Sequence, residues 1–71
     1  MQTWTVSRFM DSMISVSFML LSESQARMVF QQEIAIFGHL GYSVHNMGNT
    51  ATVIDPRNME CVGTLQLRQD K

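Results

Sequence analysis

Four side chains in this sequence could carry chemistry: His39, His45, Cys61 and Asp55. Histidine, cysteine and aspartate ligate metals or act as acid, base or nucleophile when several of them converge. None of the four belongs to a recognised ligand pair such as CxxC or HxxxH. The sequence therefore predicts no metal centre, no cofactor and no enzymatic activity. An enzyme or metal protein that uses His39, His45 and Cys61 is the third hypothesis, after the two given below.

The same residues have structural explanations. Cys61 is in phase with Leu65 and Leu67, which predicts a buried thiol acting as a small hydrophobic group. His45 is expected on the open face of a sheet, opposite to Cys61. His39 is expected at the end of a helix, where a partly protonated imidazole favours the negative end of the helix dipole.

Glu33 is anomalous because helical periodicity places it between Val29 and Phe37, inside an apolar arc. An unpaired carboxylate there would lose its hydration. One interpretation is a position at the rim, where the side chain reaches water or pairs with Arg8 or Arg68. The other is a charge presented to a protein partner beside a hydrophobic edge.

Two strands are predicted at the N-terminus, Thr3–Met10 and Met13–Leu20, joined as a hairpin by a tight turn at Asp11 and Ser12. The alternation of side chains is sharper in the second strand than in the first. Its predicted core-facing residues are Ile14, Val16, Phe18 and Leu20.

A helix is predicted from Ser22 to about Leu40. The Ser22 hydroxyl can accept from the backbone of Gln25, and Gly41 can adopt the left-handed conformation that ends a helix. The apolar stripe comprises Ala26, Phe30, Ile34 and Phe37, widened by Val29, Ile36 and Leu40.

Three more strands follow at about Tyr42–Met47, Thr50–Ile54 and Met59–Arg68. Gly48 and Asn49 are expected to supply positive backbone angles in a two-residue turn, and residues 55–58 form the next turn. Gly63 indicates a bulge or a close approach by the helix. Residues 1–71 are thus expected to form one small α+β domain, a two-layer sandwich with one helix on a mainly antiparallel sheet in the order ββαβββ.

The surface is expected to carry little charge. Only 15% of the 71 residues are charged, the net charge is −1, and 45% are hydrophobic. Solubility usually depends on a well-charged exterior, so part of this surface is expected to be covered by another protein or by a second copy. A single cysteine favours the cytoplasm, and the apolar run Met13–Leu21 is too short to cross a membrane.

The leading hypothesis is a non-enzymatic protein-binding module, of the kind that a phage or mobile element encodes to inhibit a larger host enzyme or defence complex. It would dock through its helix, its open sheet face or an edge strand, or form a homodimer. The predicted contact residues are Arg27, Met28, Gln31, Gln32, Glu33, Met13 and Met19.

The alternative is a single-stranded nucleic-acid-binding domain that stacks bases on Trp4, Phe9 and Tyr42. Four scattered arginines and one terminal lysine disfavour it, because affinity for phosphates comes largely from clustered basic residues.

Overall fold

The computed structural model describes residues 3–10 and 13–70, which form one helix and five strands. The elements are β1 (Thr3–Met10), β2 (Met13–Leu20), α1 (Glu23–His39), β3 (Ser43–Asn46), β4 (Thr50–Asp55) and β5 (Glu60–Asp70). The predicted α+β class and the order ββαβββ are confirmed. The predicted turn at Asp11 and Ser12 lies outside the described residues.

All five strands belong to a single antiparallel sheet with the order β2-β1-β5-β4-β3. The first and last strands of the chain pair at its centre, where Val6 lies between Phe18 of β2 and Leu67 of β5. This order leaves β2 and β3 as the two edge strands. The helix packs mainly on β5 and β1, between those edges.

The ends of α1 follow the predicted capping pattern. Ser22 Oγ accepts from the Gln25 N–H at 3.2 Å. At the other end, Tyr42 N–H donates to Phe37 O and Gly41 N–H donates to Gly38 O, with Gly41 at φ +96°. These two bonds form the Schellman arrangement, which a left-handed glycine allows at low cost.

The core lies between α1 and the sheet. Its buried hydrophobic residues are Val6, Met10, Ala26, Phe30, Phe37, Ala51, Val53, Leu65 and Leu67. Alternation along the strands and the three-to-four spacing along the helix bring these side chains to one layer. Burial of this apolar surface is the main favourable contribution to folding.

The turn between β3 and β4 differs in one respect from expectation. Met47 N–H donates to Thr50 O at 2.7 Å around the predicted pair Gly48 and Asn49. Only Gly48 has a positive φ, of +93°, so Asn49 does not need the left-handed conformation. A turn with glycine at its first central position matches the twist of the flanking strands equally well.

Gly63 lies at a β-bulge, as its sequence position indicated. The register shifts opposite Val53 and Ile54, so that Val53 faces Gly63 and Ile54 faces Cys61. The close approach at Gly63 comes from β1 and not from the helix, because an added Cβ would collide with the Met10 side chain. Glycine is therefore required by the neighbouring strand.

Three predicted core residues are exposed instead. Ile36 and Leu40 lie at the margin of the helix stripe, and Phe18 lies in the edge strand β2. The helix sits mainly over β5 and β1. The sheet therefore leaves Ile36 and Leu40 uncovered, and the helix leaves Phe18 partly uncovered. The predicted burial of Ile14 concerns a side chain outside the described part of the structure.

No helix among residues 3–10 and 13–70 has the length and hydrophobicity needed to cross a membrane.

Candidate functional site

The four residues that could carry chemistry lie apart. His39 is the exposed last residue of α1, whereas His45 lies in the edge strand β3. Cys61 and Asp55 lie at opposite ends of the β4–β5 turn. Within the described part of the chain, no group of three His, Cys, Asp or Glu residues could hold a metal ion.

The prediction of a buried Cys61 is wrong, because this residue is exposed. The bulge at Gly63 adds a residue to β5 and reverses the alternation before Leu65. Cys61 therefore pairs with Ile54 on the open face of the sheet, whereas Leu65 and Leu67 lie on the core face. The expectation that it lies on the opposite face from His45 is wrong for the same reason, although β4 separates the two residues.

Asp55 holds the β4–β5 turn in place. Its carboxylate accepts from the Arg57 backbone N–H at 2.9 Å and from the Arg57 guanidinium at 3.0 and 3.2 Å. The side-chain hydrogen bond from Arg57 lowers the pKa of Asp55 below its ordinary value. An ionised, fully engaged carboxylate of this kind stabilises a turn and is poorly suited to act as a general acid near neutral pH.

Glu33 is a buried partner of Arg8. The Glu33 residue is only 5% exposed, and Arg8 Nη1 lies 3.2 Å from its Oε1. The predicted pairing with Arg8 is therefore confirmed, but the expected rim position is not. A carboxylate in this place fastens α1 to β1 and is not accessible for contact with another molecule.

The other four helix residues predicted to contact a partner, Arg27, Met28, Gln31 and Gln32, are all exposed. Met28 is 63% exposed, as its outward helical phase predicted. Arg27 is engaged within the chain, because it donates to Glu23 at 3.4 Å and to Asn49 at 3.5 Å. We call Met28, Gln31, Gln32, Ala35 and His39 the outer helix face.

The outer helix face contains no Asp, Glu, Lys or Arg. Between Arg27 and the end of α1 the sequence contains a single Asp, Glu, Lys or Arg, which is Glu33, and that residue is buried. Solvated helix faces usually carry charged residues opposite the apolar stripe. An uncharged face of this length is typical of a surface that another protein covers.

A second set of exposed apolar side chains surrounds β2. Phe18 is 38%, Met19 76% and Leu21 69% exposed. Met19 was a predicted contact residue, and its exposure agrees with that role. The side chain of Met13 lies outside the described part. The exposure of Phe18 and Leu21 was not predicted, because the sequence does not reveal that β2 is an edge of the sheet.

The open sheet face is rich in hydroxyl groups. Ser7 and Ser17 lie within 3.4 Å across β1 and β2, and Thr5 donates to Asp70. Of the three aromatic residues proposed to stack bases, Trp4 and Tyr42 pack against the core. Phe9 remains exposed without a basic stripe beside it, so nucleic-acid binding stays a prediction that gains no support.

No family model matches the chain, and no curated protein and no solved structure matches it.

Proposed function

We propose that this protein is a non-enzymatic protein-binding module that docks through the outer helix face. The observation that supports the proposal most strongly is that the exposed outer helix face contains no Asp, Glu, Lys or Arg. Water solvates such a surface less well than a charged one, so covering it costs little desolvation energy. The same residues form a continuous face on one side of a rigid helix.

The composition of this face indicates the chemistry of its partner. Met28 is flexible and polarisable, and it can fill an apolar pocket of irregular shape. Gln31 and Gln32 offer amide groups that both donate and accept hydrogen bonds. We expect a partner surface with an apolar depression and neutral polar groups around it, of the type that accepts a helix in a groove.

The biological form of this function that we favour is inhibition of a larger enzyme or complex in the cytoplasm, in the manner of small phage-encoded or mobile-element proteins. A small domain can block a larger surface by covering it, without chemistry of its own. An exposed thiol at Cys61 is compatible with a reducing compartment, where free cysteines persist.

The experiment compares partner capture by the wild-type chain and by the double variant Met28→Lys/Gln32→Lys. Lysines at these exposed positions leave the core untouched, but they place two charges in the proposed contact. We expect the variant to fold with unchanged circular dichroism and to lose at least about tenfold in affinity, because buried unpaired charges are costly. Affinity is measured by calorimetry with the protein that the wild type retains from its source cells.

The matched control is Ser43→Lys/Gln66→Lys, which adds the same charge at exposed positions away from the helix. This control should retain the partner with wild-type affinity. If the helix variant binds as tightly as the control, the outer helix face is not the contact and the proposal is wrong.

A further inference from the structure

We propose that β2 is the pairing edge of a homodimer, in which it forms an antiparallel ladder with β2 of a second copy. The two five-stranded sheets would then join into one continuous sheet. The paired edge lies in the plane of the sheet, away from the outer helix face. The inference therefore goes beyond the proposed function and can succeed or fail independently of it.

The first argument is the open backbone of β2. Among the described residues this strand pairs with β1 on one side and with no strand on the other. Alternate N–H and C=O groups along its eight residues therefore face away from the sheet. Such a row is a template for another strand, and proteins normally block it.

The second argument is that β2 lacks the usual protection. Its sequence, MISVSFML, contains no charged residue and no proline. The register shift against β1 lies between Arg8 and Met10, at the turn end, and leaves Val16 to Leu20 in regular pairing. Bulges, charges and prolines are the features that prevent edge pairing, and this stretch has none of them.

The third argument is self-complementarity. In an antiparallel ladder with a two-fold axis perpendicular to the sheet, directly opposed residues lie on the same face. Val16, Phe18 and Leu20 of one copy would meet the same residues of the other on the helix side. The hydroxyl and thioether side chains of Ser15, Ser17 and Met19 would meet on the open face. Apolar groups thus oppose apolar groups in each such register.

The fourth argument is the apolar surface beside the edge. Arg27 reaches Asn49 at the β3 side of the sheet, and helical periodicity places Val29 and Ile36 on the opposite side of α1, toward β2. Ile36 is 47% exposed, and Phe18 is exposed on the same side of the sheet. Pairing of two β2 strands would bring these residues of both copies together across the two-fold axis.

Charge favours a second copy as the occupant. Proteins that must stay monomeric repel one another through their net charge, but this chain carries only −1. Neither β2 nor the nearby Ile36 offers a charge that would select a different partner. An identical strand supplies the matching pattern without desolvating any ionised group.

The expected size of the contact sets the strength of the dimer. Stable interfaces bury about 800 Å² on each partner, and one strand with its flanking side chains provides less than that. We therefore expect a concentration-dependent dimer that forms between about 10 μM and about 1 mM. Covering the exposed part of Phe18 is the largest aromatic contribution to it.

The test introduces two lysines into each edge strand in turn and measures mass by sedimentation equilibrium. In Ser17→Lys/Met19→Lys, two exposed residues on the open face of β2 become charged and oppose each other across the axis. We expect the dimer dissociation constant to rise at least about tenfold, because like charges in opposed positions repel. The matched control is Ser43→Lys/His45→Lys in β3, which should dimerise like the wild type.

A cross-linking experiment supplies a second readout that does not depend on loss of binding. In a Cys61→Ser background, Ser17→Cys and Phe18→Cys place a thiol where the two-fold axis can pass. One of the two should form an intermolecular disulfide readily at high protein concentration, since opposed Cβ atoms in a ladder lie within disulfide reach. Ser43→Cys, in β3, should not.

Three results would overturn the inference. They are a wild type that stays monomeric at about 1 mM, equal dissociation of the two lysine variants, and cross-linking of Ser43→Cys as fast as that of the β2 thiols. Dimerisation of Met28→Lys/Gln32→Lys at the wild-type strength would support the separation of this edge from the proposed partner surface. Loss of the dimer in Met28→Lys/Gln32→Lys would contradict the placement of the dimer contact at β2, away from the outer helix face.

Discussion

The two edges of the sheet, β2 and β3, differ in length and composition. The strand β3 has four residues, and its exposed members Ser43, His45 and Asn46 are polar. The strand β2 has eight residues and no charge, and it contains the exposed Phe18 and is followed by the exposed Leu21. Short, polar edges resist pairing with other chains, whereas long apolar ones promote it.

The contrast extends to the contacts between the helix and each side of the sheet. On the β2 side, α1 is fastened by the buried pair of Glu33 and Arg8. On the β3 side, Arg27 donates to Asn49 at 3.5 Å in an exposed position. The polar contact between the helix and the sheet is thus buried on the β2 side and exposed on the β3 side.

The largest expected effect comes from removing the buried carboxylate with Glu33→Ala. Arg8 would be left without its ion-pair partner in a mostly buried site where its Nε already has no hydrogen bond among the described residues. Breaking a buried pair in this way costs about 3 to 5 kcal/mol of unfolding free energy. Urea denaturation of the purified variant measures this loss.

The contact on the β3 side supplies the control for Glu33→Ala. Asn49→Ala removes the exposed contact on the β3 side and should cost less than about 0.5 kcal/mol. The double replacement Arg8→Met/Glu33→Leu removes both charges and should recover most of the stability lost in Glu33→Ala. Equal losses in Glu33→Ala and Asn49→Ala would contradict the contrast between the buried and the exposed contact.

A smaller effect is expected from Asp55→Asn, which weakens the turn that supports β4 and, through it, β3. Because the folded-state pKa of Asp55 is lowered, its ionised form stabilises the fold above the ordinary pKa, and this contribution disappears as the pH falls through the lowered value. The variant should therefore be less stable than the wild type near neutral pH, with the difference narrowing in acid. Thermal unfolding followed over a pH series measures it.

Dimerisation provides the contrast, because β2 contains no ionisable side chain. At each pH in the range where Asp55→Asn and the wild type converge in stability, the two proteins should dimerise with equal strength, as long as both stay folded. A dimer that is weaker in Asp55→Asn than in the wild type at the same pH would indicate that the contact lies on the β3 side.

Local sequence signals predicted most of the fold. Ser22 and Gly41 set the ends of α1, and the sharp alternation along Met13–Leu20 predicted β2 with its correct bounds. The pairing of Glu33 with Arg8 could also be anticipated, since an isolated carboxylate in an apolar arc needs a partner. These features depend on residues close in sequence or on a single strong physical constraint.

The exposure of Cys61, Phe18 and Ile36 could not be read in the same way. Cys61 depends on a bulge that reverses the alternation of β5, and Gly63 indicated its presence but not its consequence. Phe18 and Ile36 depend on the order of strands in the sheet, which is set by pairing between distant parts of the chain. The same long-range order determines which apolar residues are left for a partner.

Hydrogen exchange at the two edges, measured by NMR at low and high protein concentration, tests the central claim most directly. If β2 pairs with a second copy, its outward-facing amides between Val16 and Leu20 should become more protected as concentration rises, while those of Ser43–Asn46 stay unchanged. Protection that does not respond to concentration at β2, or that rises at β3 instead, would contradict the account.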